Sequence, residues 1–325
     1  MEWNPTWEDP LTSYVKQFAG LIGDQRTRKT LGEIVKGIIG AGSLICQQIA
    51  GQSAELSKGK KGSQRVIRLA TTGASTKRSE VDAEHLTKRL REVAVEQLAQ
   101  APEEELWLIA DSSDLRKPSA EAMPYLMQVR DLDEQLVPGY RTFNVIGLTP
   151  RRRGLLYHRL LSSQAPEFVS EPAAVQVALQ TVSQALAPLK EQKRVTWLLD
   201  SGFDDVAVWR TSWEQQEHVV LRIYHTERKV AFQDRQGEWH EGDIAQAKAH
   251  LRRLARVETT MEVKRGKQVR PKKQPVPVEL AACPLRVTYQ TNVRRRGQGK
   301  SVTRDVWVVE VRVLGGGLGA VAAAH

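Results

Sequence analysis

Two short apolar runs each close on an aspartate. Leu106-Trp107-Leu108-Ile109-Ala110 leads into Asp111, and Val195-Thr196-Trp197-Leu198-Leu199 leads into Asp200. Runs of this length and composition read as buried β-strands, and in open α/β sheets functional groups gather at the carboxyl ends of strands. Two carboxylates on neighbouring strand ends offer hard oxygen ligands to divalent cations. Two such ions about 3.5–4 Å apart stabilise the attacking and leaving oxygens of an in-line phosphoryl displacement. Either aspartate alone reads as a helix cap or turn former. The pair, separated by a hairpin and a helix, points to a site.

The surrounding pattern supplies elements to hold them. Leu11 to Ile22 and Thr30 to Ile49 are apolar at helical spacing, with Gly37 and Gly40-Ala41-Gly42 breaking the second run, an outline that fits a helix-turn-helix or any small helical bundle. A basic stretch from Lys58 to Arg68 follows and reads equally as a solvated loop or a DNA contact. Glu80 to Gln100 is an amphipathic helix that ends at Ala101-Pro102. Arg141–Leu148 and Gly154–Leu161 alternate as strands, Glu171–Leu189 is an amphipathic helix with Pro172 in its first turn, and Asp204–Trp213 reads as a helix. Beyond His218 the chain turns β-rich, with strands expected at Val219–Tyr224, Lys229–Phe232, Leu285–Gln290 and Val306–Val313 and one helix at Ile244–Ala255. The expected class is α/β, with a helical DNA-binding domain over 1–102, a core over 103–216 and a β-rich insertion with basic loops over 217–325.

Charge narrows the partner. The 325 residues hold 48 Lys and Arg against 38 acids, a net charge of +10, which favours a polyanion. The surplus is local: Lys264 to Lys300 holds eleven basic residues and one acid, Glu279, and includes the run Arg294-Arg295-Arg296. Such a cluster is the footprint expected of phosphate contacts. Cys46 and Cys283 are far apart with no CxxC partner, which supports neither a disulfide framework nor a zinc site and suits a cytoplasmic location. No apolar run reaches the ~18 residues of a membrane span, and the N-terminus lacks the shape of a signal peptide.

The spaced motifs are more specific. Asp111-Ser112-Ser113-Asp114-Leu115-Arg116-Lys117-Pro118 is followed by Met123-Pro124-Tyr125-Leu126, Val129-Arg130-Asp131 and Gly139-Tyr140. Asp200-Ser201-Gly202-Phe203-Asp204-Asp205 is followed by Val220-Leu221-Arg222-Ile223 and Arg228. From about Glu105 to Arg228 the sequence resembles the DDE transposases of bacterial insertion sequences. The closest likeness is to the branch whose ribonuclease H-like core carries a β-strand insertion after the second catalytic aspartate. The resemblance implies that Asp111 and Asp200 are catalytic and hold Mg²⁺ or Mn²⁺. It implies metal-dependent cleavage and transfer of DNA strands at insertion-sequence ends, with a water and then a DNA 3′-hydroxyl as nucleophile, and it allows a homodimer in the DNA complex. Asp114, Lys117, Arg222 and Arg228 would lie near the substrate or support the site. Of these, Asp114 also reads as a turn residue, Lys117 as a solvated loop residue and Arg222 as a mid-strand residue with a buried partner. His225 reads as an ordinary loop residue.

The third carboxylate of that family is missing. Its surroundings run Tyr, two residues, Arg, three residues, Glu, six residues, Lys. Three positions after Tyr14, Tyr125, Tyr140, Tyr157, Tyr224 and Tyr289 stand Gln17, Gln128, Phe143, Leu160, Glu227 and Asn292, none an arginine. The strand at Val306–Val313 runs into Gly315-Gly316-Gly317-Leu318-Gly319-Ala320, which reads as a truncated or frameshifted tail. The sequence therefore carries two readings: a transposase inactive in this form, and a non-catalytic DNA-binding fragment that inhibits or regulates an intact one. A phosphotransfer enzyme with Asp111 as nucleophile fits less, because Asp111-Ser112-Ser113-Asp114 lacks the Asp-x-Asp spacing.

Overall fold

The structure is a computed structural model that describes residues 8–52, 60–70, 82–120, 123–263, 272–290 and 300–314. The chain divides into two compact units, one of residues up to Phe168 with Thr181–Val195 and the other of Val169–Gln180 with Thr196 onward.

The first unit opens with helices α1 (Glu8–Ala19), α2 (Gln25–Ala41), α3 (Cys46–Gly51) and α4 (Lys60–Ala70). Asp24 caps α2 by accepting the Thr27 N–H at 2.7 Å. Of the expected breakers only Gly42 ends the helix, in the left-handed conformation at φ 58° with its N–H on Ile38 O. Gly37 lies inside the helix, where its missing side chain admits α3: a Cβ there would come within 2.5 Å of Ile49 O. Ile34, Ile49, Ala50 and Val66 form the small core of α2, α3 and α4. The basic stretch that could have been a loop is helical from Lys60. Val66 turns inward, and Lys60, Lys61, Gln64 and Arg68 face water.

Helix α5 (Ala83–Ala99) lies on the sheet that follows. Cβ atoms built at Gly147 and Gly154 would fall 2.6 Å from Leu98 Cδ1 and Ala94 Cβ, so small residues let helix and strands approach. Strand β1 (Glu105–Arg116) pairs antiparallel with β3 (Leu136–Leu148), whose other edge carries β2 (Met127–Arg130) and β4 (Arg153–Leu161), both antiparallel. Helix α6 (Glu171–Ala185) and a 3₁₀ turn at Ala187–Leu189 lead to β5 (Arg194–Leu199). The buried Lys193 donates to Ala101 O and Glu103 O at 2.7 and 2.8 Å, and the Arg194 N–H donates to Glu104 O at 2.7 Å, so β5 sets out beside the start of β1.

In the second unit β5 continues to a 3₁₀ turn at Ser201–Phe203 and helix α7 (Val206–Glu214), then to β6 (His218–Leu221), which is parallel to β5. Trp197 is fully buried, and its Nε1 donates to Glu217 Oε2 at 2.7 Å. The first sheet has the strand order β2-β3-β1-β5-β6, with β4 also on β3. Four antiparallel strands, β1 to β4, followed by two mutually parallel strands reached through helices, make the expected ribonuclease H-like α/β arrangement.

The second sheet holds β7 (Lys229–Gln233), β8 (Trp239–Asp243), β9 (Arg252–Val263), β10 (Lys272–Gln290) and β11 (Ser301–Val313) in the order β11-β10-β7-β8, with β9 on β10. The helix expected over Ile244–Ala255 is a single turn, α8 (Ile244–Ala247), with a 3₁₀ turn at Lys248–His250 before β9. A capping box of Asp243 and Gln246 starts it. The long ladder from Arg252 onward against β10 then overrides the helical spacing of Leu251 and Leu254. Cys283 is buried, and its burial raises the thiol pKa. Among the described residues no helix is long and apolar enough to cross a membrane.

Candidate active site

Asp111 sits within β1, not at its end. Leu106, Leu108 and Ala110 are buried, whereas Ile109, Asp111 and Ser113 are exposed on the opposite face. The strand runs five residues further because Ser112 to Arg116 stay paired with Phe143 to Gly139. The loss of apolar residues after Ala110 marks where that face loses its cover, not where the ladder stops. Asp111 Oδ2 accepts the Ser113 hydroxyl at 3.2 Å.

Asp114 is neither a turn former nor a cap. It lies opposite Arg141 in the ladder, accepts Arg141 Nε at 3.1 Å and receives the Arg130 N–H at 3.3 Å, tying β1, β2 and β3 together. Lys117 follows the strand, and its N–H closes the ladder on Pro138 O at 2.7 Å.

In the second unit, Asp200 follows β5 and caps the 3₁₀ turn. It is exposed, and its Oδ1 accepts the Gly202 N–H at 2.9 Å. Asp205 caps α7 by accepting the Ala207 N–H at 2.7 Å. Asp204, between them, has a side chain only 1% exposed. Its Oδ2 accepts the Tyr224 and His225 N–H groups at 2.7 and 2.8 Å, and its Oδ1 accepts Arg228 Nη2 at 2.7 Å.

Arg222 departs from expectation: it is not mid-strand, because β6 ends at Leu221, and it is exposed, with its N–H on Leu199 O. Arg228, expected near the substrate or in support of the site, is engaged with Asp204, and its guanidinium lies 4.1 Å over the Trp209 ring. Sequence reasoning missed this buried pair. The signal was available in the Asp200-x-x-x-Asp204 spacing, but nothing in it separates the two roles. His225 is the loop residue expected, with its Nδ1 2.8 Å from Glu227 Oε1.

The basic cluster is only partly visible. Arg294, Arg295 and Arg296 lie outside the described residues, as do residues 264–271 and 315–325. Arg286, within the cluster, pairs with Asp305 at 2.9 Å and stacks 3.8 Å over Trp239. Among the described residues, no group of three or more His, Cys, Asp or Glu side chains could hold a metal ion. Asp111 and Asp200 each contribute a water-facing carboxylate, the donor type that a heavily hydrated Mg²⁺ accepts from one or two protein ligands.

No protein-family model matches the sequence, and no curated protein does. Among solved structures, a piggyBac transposase synaptic complex with hairpin DNA is similar over 60% of this chain and 38% of that one, with 9% identity and a TM-score of 0.32. A Mos1 transposase paired-end complex with the left transposon end overlaps 57% of this chain and 56% of its own, with 15% identity and a TM-score of 0.23. A Mos1 mariner paired-end complex with Mn overlaps 60% and 59%, with 16% identity and a TM-score of 0.24. The chain thus spans less than two thirds of the length of each.

Proposed function

We propose that this chain is built on the plan of an insertion-sequence transposase, binds DNA at element ends, and uses Asp111 and Asp200 as the cation-holding carboxylates of strand cleavage and transfer. The observation that carries the reading is the state of the two aspartates: each follows a strand run with buried alternate residues, faces water, and accepts one short-range hydrogen bond, from the Ser113 hydroxyl or the Gly202 N–H. The spaced motifs around both aspartates agree with it.

The residues fit Mg²⁺ or Mn²⁺ in donor type. Such an ion, when bound, supplies activation of an oxygen nucleophile and stabilisation of charge at phosphorus. The chain's own part is to hold and orient the carboxylates: Ser113 fixes Asp111 and the Gly202 N–H fixes Asp200. Lys117 and the exposed Arg222 are the candidate phosphate contacts near them, and Arg294, Arg295 and Arg296 belong to a wider backbone-binding surface. A homodimer on paired DNA ends is the assembly that goes with this reading.

The missing third carboxylate favours a second reading, in which this chain occupies element ends without cutting them and regulates an intact transposase. Loss of one oxyanion-stabilising donor in other enzymes costs on the order of 10²–10³ in rate, and loss of a metal ligand should cost at least as much. The test is cleavage of DNA carrying the element's own ends, with Mg²⁺ or Mn²⁺, by this chain and by one extended through the downstream reading frame. Cleavage by the extended chain alone supports both the transposase plan and the need for a further carboxylate. Cleavage by this chain, abolished in D111A or D200A, places the third carboxylate within it. Failure of both chains to bind DNA overturns the proposal.

A further inference from the structure

The exposed face of the first unit's sheet carries more than Asp111. In the ladders, Asp111 stands opposite Asn144 and Asn144 opposite His158, so the three form one row across β1, β3 and β4. Side chains opposite one another in a ladder share a face. A chain of hydrogen bonds follows this row: Ser113 Oγ to Asp111 Oδ2 at 3.2 Å, Thr142 Oγ1 to Ser113 O at 3.1 Å, Asn144 Nδ2 to Thr142 Oγ1 at 3.4 Å, and His158 Nδ1 with Asn144 Oδ1 at 2.8 Å.

The direction of these bonds fixes the imidazole. Because the Asn144 amide nitrogen faces Thr142, the atom at His158 is the carboxamide oxygen, which only accepts. Nδ1 of His158 therefore carries the proton, and Nε2 is the nitrogen left to meet a ligand. The His158 side chain is exposed. Two interstrand spacings, about 9.6 Å in all, separate it from Asp111, close enough for one DNA strand to touch both. Once Nε2 carries a proton as well, the ring anchored by the carboxamide oxygen is a donor suited to an anion such as the DNA backbone.

We propose that His158 is a phosphodiester-binding residue on the face that carries Asp111, with Asn144 as its positioning residue. This rests on the reading of Asp111 as the cation-holding carboxylate of a DNA-processing site, and it names a backbone contact for that site.

The experiment uses the full chain and a short duplex of arbitrary sequence at low salt. H158A should weaken binding about tenfold, the effect of one charge-assisted hydrogen bond. It should also reduce the slope of log affinity against log salt by about 0.9. N144A should weaken binding to the same extent, and the double variant should be no weaker than H158A. In the unsubstituted chain, ring ¹⁵N signals of His158 should shift when DNA is added, a readout that needs no variant to fold. Unchanged affinity and slope in H158A, a silent ring signal, or additive losses in the double variant would each overturn the proposal. Mn²⁺-induced broadening near Asp111 separates the two readings. Broadening with a silent His158 sinks this inference alone, whereas a shifting His158 without broadening sinks the cation reading and leaves the phosphate contact standing.

Discussion

Asp111 and Asp200 differ from Asp114 and Asp204, their neighbours three and four residues on, in how far their carboxylates are occupied. The first two face water, and among the described residues each takes a single hydrogen bond, from Ser113 or Gly202. The second two are filled: Asp114 by Arg141 and the Arg130 N–H, Asp204 by Arg228 and two backbone N–H groups. A carboxylate whose lone pairs are occupied is part of the scaffold, whereas one that keeps lone pairs toward solvent is available to a cation. Within each motif, then, one aspartate is tied into the fold and the other keeps its carboxylate toward water, as the proposed cation-holding role requires.

The largest effect expected from this contrast is in stability. Asp204→Ala leaves the partly buried Arg228 without its carboxylate and should cost about 3 kcal/mol in urea unfolding. Asp114→Ala removes a partly exposed pair and should cost about 1 kcal/mol. Asp111→Ala and Asp200→Ala should stay within about 1 kcal/mol of the parent. A severe loss from either of these two would erase the contrast, because the residue would then be scaffold as well.

The same contrast explains what was legible in the sequence. Strands β1, β3, β4 and β5 announced themselves through apolar runs and alternation, and the two water-facing aspartates through their place after such runs. The inward turn of Asp204 and Arg228 was not legible, because it depends on a loop folding back from Leu221 to bring Tyr224, His225 and Arg228 onto one carboxylate. The row through Asn144 and His158 was hidden for a related reason. It exists only once three strands are in register, and its members are 33 and 14 residues apart in sequence. The start of β9 reads as helix in the sequence because Ile244, Ala247, Leu251 and Leu254 fit a helical period, and only the partner strand β10 decides otherwise.

A smaller effect concerns DNA affinity. Replacing Arg294, Arg295 and Arg296 with alanine should flatten the salt dependence by about 0.9 for each phosphate that is no longer neutralised. Arg228→Ala should leave that slope unchanged in any variant that still folds, because its guanidinium is held by Asp204. A slope that responds to Arg228 and not to the arginine run would reverse the assignment of inward and outward cations. The smallest effect is at the periphery: Asp24→Ala removes the α2 cap and should lower stability by about 1 kcal/mol without touching DNA or metal binding.

The most direct test of the central claim is Mn²⁺ binding by the full chain, measured calorimetrically for the parent, Asp111→Ala, Asp200→Ala and the double variant. If these two are the cation-holding carboxylates, each single change lowers the affinity at least severalfold and the double variant binds least. Parent-like binding in both single variants would contradict the account.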